Sequence, residues 1–167
     1  MLLANKTALV TGGTAGIGEA IALRFADEGA KVGVVASRDL RKAEQVVSQI
    51  EAVGGSGKAF CADVANIEEI GRMVNEVTRT LGNVDILVNC AGIVDETPAG
   101  STSEQAYDRI MDINVKGVFF LCRAALSVMI EKKWGRIVNI SSRAGRHGTE
   151  AIPHYSASKA AVINFTQ

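Results

Sequence analysis

Tyr155 and Lys159 stand four residues apart in a segment with helical character, a spacing that puts both side chains on one face. A free phenol titrates near ~10 and is a poor acid–base catalyst at neutral pH, but a cation beside it favours the phenolate. The pair therefore suits proton chemistry, although Y-x-x-x-K by itself also occurs on solvated helix faces. A second group lies far upstream. Thr11, Gly12, Gly13, Thr14, Ala15, Gly16, Ile17 and Gly18 separate a short β-rich run from a helical pattern. There the backbone N–H groups of a helix N-terminus can meet the pyrophosphate of a dinucleotide. The spacing is G-x-x-x-G-x-G, not the common G-x-G-x-x-G, yet the physical needs are the same. One glycine makes the tight turn, one lets phosphate approach the backbone, and one packs helix on strand. Taken alone, the segment is also an ordinary βα turn.

The residues after the second β-rich run refine the ligand. Folds of this kind often place an acidic residue there for the ribose hydroxyls of NAD. Here the run ends Ala36, Ser37, Arg38. A serine hydroxyl and a planar guanidinium suit a 2′-phosphate, so NADP(H) is favoured over NAD(H). The alternative leaves Arg38 as a solvated loop cation and has Asp39 reach the ribose.

These groups need a scaffold, and short β-rich runs alternate with helical patterns as in βαβ units. Strands are predicted at 7–10, 31–36, 58–61, 86–89 and 136–140, most of them continuously apolar as strands covered on both faces should be. Ile17, Ala20, Ile21 and Phe25 mark a first helix stopped by Gly29. Helices are predicted over 40–53, ending at the Gly54–Gly57 stretch, and over 67–81, ending at Gly82. A long helix follows Ser103 to about Lys132, with 115–125 expected to be buried. The last helix is predicted to start at Tyr155. The expected fold is α/β: a Rossmann-type doubly wound parallel sheet in three α/β/α layers, a single dinucleotide-binding domain over 1–167. The strand order 3-2-1-4-5-6 requires a sixth strand. Since the sequence stops at Gln167 inside a helical pattern, a truncated chain with C-terminal strands missing is expected.

Composition excludes several classes. The 167 residues are 47% hydrophobic and carry 18 basic and 18 acidic side chains with no block of like charge. That favours neither nucleic acid nor an anionic membrane as partner. No apolar run of about 20 residues predicts a membrane helix, and the N-terminus does not read as a signal peptide. Cys61, Cys90 and Cys122 are odd in number and widely spaced, so buried, reduced thiols in a cytoplasmic protein are expected. His147 and His154 read as loop residues, and no ligand set predicts a metal.

In order and spacing the motifs resemble those of the classical short-chain dehydrogenase/reductase family. They are the glycine turn, Asp63–Val64, the Asn89, Cys90, Ala91, Gly92 run, Asn114, Ser142, and Tyr155 with Lys159. The resemblance covers Lys6 to Gln167. It implies that Gly12, Thr14, Ala15, Gly16, Ile17 and Gly18 bind the cofactor phosphates. It further implies that Asp63 accepts from the adenine amino group with Val64 against the ring, and that Asn89, Ala91 and Gly92 brace the sheet centre and line the cofactor. Asp63 is otherwise a helix cap, and Cys90, where the family more usually has Asn, is expected only to pack.

In the catalytic roles the resemblance implies, Tyr155 donates a proton to a substrate carbonyl oxygen that Ser142, thirteen residues earlier, holds. Lys159 grips the nicotinamide ribose, and Asn114 holds a water linking Lys159 to solvent. Asn114 otherwise bonds a neighbouring turn or marks a bend. The neighbouring Ser141 is expected to be structural. The expected activity is hydride transfer between NADP(H) and a small-molecule carbonyl or secondary alcohol, with a 3-oxoacyl carrier-protein reductase as the nearest substrate class. A full-length form is expected to be a homodimer or homotetramer. The alternative is a nucleotide-binding, catalytically inactive module.

Overall fold

The computed structural model describes residues 1–167. Five parallel strands form one sheet in the order β3-β2-β1-β4-β5: β1 (Thr7–Thr11), β2 (Lys31–Ala36), β3 (Ser56–Cys61), β4 (Ile86–Asn89) and β5 (Arg136–Asn139). The helices are α1 (Gly16–Asp27), α2 (Leu40–Ala52), α3 (Ile67–Leu81), α4 (Glu104–Met111), α5 (Val118–Glu131) and α6 (Pro153–Phe165). The chain reverses direction across the sheet between β1 and β4, the point at which doubly wound sheets open a ligand crevice.

The period of two along each strand divides the core between the two faces of this sheet. Ala8, Val10, Val32, Val34, Ile86 and Val88 pack with Ala22, Ala26, Ala43, Val46 and Ile50 of α1 and α2. Leu9, Val35, Phe60 and Leu87 face the other way, onto Ile70, Met73 and Val77 of α3 and Leu121, Ala125 and Met129 of α5. Each fully buried Val, Leu, Ile, Phe or Met among these contributes about 1.5–3 kcal/mol. Short polar residues set the helix starts: Asp39 accepts from Arg41 N, Asn66 from Glu68 N and Glu69 N, and Ser103 from Ala106 N.

Several elements differ from expectation. Thr11 belongs to β1, and β3 begins at Ser56, so the glycine stretch after α2 is already strand in part, and Cys61 at the far end of this edge strand is exposed instead of buried. β5 ends at Asn139, and its residues alternate between exposed and half-buried instead of being covered on both faces. The last helix starts two residues early, with Pro153 in its first turn, where a missing N–H costs nothing.

The long helix is interrupted by a π-helical turn, Asp112–Gly117, and within its expected buried stretch Phe119 is 51% exposed. Through that turn the helical run Glu104–Glu131 is 28 residues, long and apolar enough by length and composition to cross a membrane, contrary to the sequence reading. Here its buried face, with Ile110, Ile113, Leu121, Ala125 and Met129, is part of the core.

Candidate active site

A cleft of about 370 Å³ opens at the carboxyl ends of β1 to β4. Its walls include Gly12 and Thr14 from the turn after β1, Ser37 and Arg38 after β2, Asp63 and Val64 after β3, and Ala91 and Gly92 after β4. Gly12 has φ +64°, and a Cβ there would meet Ala91 N at 2.8 Å. Both facts require glycine. A Cβ on Gly18 would collide with the Gly12 backbone, with the Gly12 carbonyl carbon at 2.8 Å. The turn is thus a backbone-only surface.

Ala15, at the N-cap of α1, makes no side-chain cap bond, so no side chain competes with a ligand for the first N–H groups of the helix. Ala15, Gly16 and Ile17 are exposed at this end, and Ile17 is 62% uncovered. At the end of β2, the Asp39 carboxylate accepts from Arg41 N and Arg41 Nε at 3.2 and 3.1 Å. The Arg41 hydrogen bond leads the causes that hold Asp39 below the usual carboxylate range. Asp39 is absent from the cleft wall, while Ser37 and Arg38 form part of it.

Gly92 joins this cleft to a second cluster. A Cβ on Gly92 would lie 3.3 Å from both Asn114 Oδ1 and Lys159 Nζ. Lys159 is buried, and its ammonium donates to Ile140 O at 2.9 Å. Burial pulls its pKa below the ordinary lysine value, against a smaller opposing influence from Cys90. Lys159 Nζ is 5.8 Å from the centre of the Tyr155 ring. The end of β5 is stitched to the same helix: Ser141 Oγ donates to Lys159 O at 2.8 Å, and a Cβ on Gly145 would meet the Lys159 carbonyl carbon at 2.7 Å. Between these anchors, Ser142 Oγ accepts from Ala144 N at 3.1 Å, which leaves its proton free to donate elsewhere.

Asn114 lies in the π-helical turn and is fully buried. Its amide accepts from Ile93 N at 3.0 Å and donates to Ile93 O at 2.9 Å and to Ser158 Oγ at 3.1 Å. Both amide protons are spent, and one Oδ1 lone pair remains. Asn114 therefore clamps the loop following β4 onto α6 and lies in the π-helical turn of its own helix.

Asn89 does not line the cleft. It is buried, and its amide donates to Asn139 Oδ1 at 2.8 Å and Cys122 Sγ at 3.3 Å, which ties β4 to β5 and α5. Its part in the site is bracing. Cys90 has its thiol pushed up by burial, with the Lys159 charge and the Gly18 N–H acting the other way. Its sulfur thus sits between the start of α1 and Lys159, a packing role.

Two residues of this region escaped the sequence. Arg109 lines the cleft and donates to Asp63 Oδ2; its only local signal is its i, i+4 phase with Ile113, which lines the same wall. His154, expected in a loop, is instead a buried residue of α6 whose ring nitrogens have no hydrogen-bond partner, with Nε2 4.0 Å from Asp95 Oδ1.

The short chain dehydrogenase family matches residues 6–167. This chain is a member of that family. The chain is 42% identical to galactitol 2-dehydrogenase of Agrobacterium fabrum, over 100% of this chain and 64% of that protein. It is 41% identical to the 3-oxoacyl-(acyl-carrier-protein) reductase FabG of Staphylococcus aureus, over 98% of this chain and 66% of that protein. The chain thus spans just under two thirds of the length of these two relatives. Among solved structures, a metagenomic short-chain oxidoreductase in complex with NADP superimposes with a TM-score of 0.95 at 33% identity, over 99% of this chain and 75% of that one.

Proposed function

We propose that this short-chain dehydrogenase transfers a hydride between NADP(H) and a carbonyl or secondary-alcohol substrate, as a ketoreductase acting on 3-oxoacyl thioesters. The observation that carries the reading is the buried Lys159 ammonium, placed beside Tyr155 and against Gly92, which lines the same cleft as Ser37 and Arg38. A burial cost of that kind is rarely met without use of the charge.

The residues present fit a nicotinamide dinucleotide. The side-chain-free surface at Gly12, the uncapped start of α1 and the guanidinium of Arg38 all suit phosphate oxygens. Asp39, held by Arg41, is withdrawn from a ribose, which supports NADP(H) over NAD(H). When bound, the nicotinamide supplies or accepts the hydride. Gly12, Thr14, Gly16 and Gly18 would hold the pyrophosphate and Asp63 with Val64 the adenine, while Lys159 would reach the nicotinamide ribose. In the reducing direction the free proton of Ser142 Oγ would orient the substrate carbonyl oxygen, and the Tyr155 phenol would donate the proton that oxygen needs. Lys159 would stabilise the phenolate left behind.

The relatives' names support a ketone–secondary alcohol pair as the reacting function. The galactitol enzyme favours a polyol as the second candidate substrate. We further read residues 1–167 as one dinucleotide-binding domain of a cytoplasmic protein that acts on a small molecule and assembles as a homodimer or homotetramer. The test is loss of NADPH absorbance with 3-oxoacyl thioesters, small ketones and keto sugars, and the reverse reaction with galactitol and NADP. Turnover of a 3-oxoacyl thioester with NADPH preferred over NADH is expected, with Arg38→Ala lowering that preference about tenfold. Turnover confined to the polyol would transfer the reading to the second substrate. NADPH binding without turnover on any of them would leave a nucleotide-binding module and overturn the catalytic reading.

A further inference from the structure

Asp63, just after β3, is held from several directions. Its backbone N–H donates to Glu69 Oε2 at 2.8 Å, its Oδ1 accepts from Ala65 N at 3.0 Å, and its Oδ2 accepts from both terminal nitrogens of Arg109 at 3.3 Å each. Arg109 comes from α4, 46 residues further along the chain, and both side chains stand in the cleft wall beside Arg38 and Val64. The pair is partly open to solvent, with side-chain exposures of 40% and 26%. Ion pairs so exposed add little to stability, so holding the fold is a poor account of Arg109.

The chemistry of the carboxylate suggests a better one. An ionised carboxylate only accepts hydrogen bonds. The 6-amino group of adenine is a donor, whereas the 6-oxo group of hypoxanthine or guanine is an acceptor and would meet the carboxylate lone pair to lone pair. A carboxylate free to turn would discriminate weakly. With two guanidinium bonds converging on Oδ2 and a turn N–H on one side of Oδ1, the second Oδ1 lone pair has a fixed direction. We propose that Arg109 is a positioning residue that fixes Asp63 for recognition of a 6-amino purine and rejection of a 6-oxo purine. The inference rests on the NADP(H) reading given above.

The test measures dissociation constants for NADPH, NADH and the hypoxanthine analogue of NADPH with the unaltered protein, Arg109→Ala, Arg109→Lys and Asp63→Asn, each checked by thermal melting. The unaltered protein is expected to prefer NADPH over the hypoxanthine analogue about tenfold, and Arg109→Ala to reduce this to about twofold while leaving the NADPH to NADH ratio unchanged. Arg109→Lys, which keeps the charge and loses the planar fork, is expected between the two, and it carries the comparison if the alanine variant melts early. Asp63→Asn, whose amide can also donate, is expected to lose or reverse the preference.

Undiminished base selectivity in Arg109→Ala would overturn the inference. So would a parallel fall in the NADPH to NADH ratio, which would put Arg109 on the 2′-phosphate. Failure of the unaltered protein to bind NADPH at all would overturn the nucleotide reading and this inference with it, whereas binding with selectivity unmoved by substitution overturns the inference alone.

Discussion

Along β1 and β2 every residue but Lys31 is buried, and the turn into α1 contributes backbone to the cleft. Along β5 alternate residues are exposed, and the ends of β4 and β5 are held by side-chain bonds: Asn89 to Asn139 and Cys122, Ser141 and Lys159 to backbone across α6 and β5, Asn114 to Ile93 and Ser158. The first region presents backbone N–H groups where no side chain intervenes. The second places a few polar atoms in space, which takes buried polar partners. On the proposed function, binding and chemistry therefore depend on different kinds of residue and should fail differently.

The largest effect on NADPH affinity is expected at the backbone surface. Gly18→Ala sets a methyl group against the Gly12 backbone, which cannot swing aside as a flexible side chain can. Overpacking of this kind costs about 1–3 kcal/mol, so NADPH affinity should fall by up to about a hundredfold by titration. An unchanged affinity would break the contrast between the two regions.

Asn114→Ala comes next. It removes three hydrogen bonds and leaves the backbone of Ile93 without its side-chain partner. A loss of about 2–3 kcal/mol in denaturant unfolding is expected, together with lower turnover. Asn114→Asp should recover the bond from Ile93 N and lose the two that need an amide proton.

Much of the first region was legible in the sequence because its determinants are local. Apolar runs specify buried parallel strands, and the glycines from Gly12 to Gly18 sit at one strand-to-helix junction. The second region is written in pairs far apart along the chain. Asn89 reads as a cofactor residue until Cys122 and Asn139, 33 and 50 residues away, claim its amide. Arg109 carries no local mark of its partner Asp63, and Gly117, which closes the π-helical turn, none of the Val64 carbonyl oxygen that a Cβ there would meet at 2.5 Å. The exposed alternation of β5 likewise depends on what lies beside it, which apolar composition does not report.

The smallest expected effect is in pH. Lys159 is buried, and desolvation sets its pKa below the ordinary 10.5. In the proposed mechanism the charged form is the one that supports Tyr155, and it is lost as pH rises through the lowered value. Turnover should therefore decline on the alkaline side starting below pH 10.5, whereas NADPH binding at Arg38 should persist. In stability the same shift has the opposite sense: the buried ammonium is a penalty at neutral pH, relieved as pH rises through the folded value. Lys159→Met should accordingly abolish turnover with a change in unfolding free energy of no more than about 1 kcal/mol at neutral pH, since the relief offsets the lost bond to Ile140 O.

The division between a binding region and a chemical region is tested most directly by measuring NADPH affinity and single-turnover reduction on one preparation of Tyr155→Phe. Affinity within about threefold of the unaltered protein, with reduction slowed by about 10²–10⁴-fold, is the predicted result. Reduction at an undiminished rate, or affinity lost in step with the rate, would contradict it.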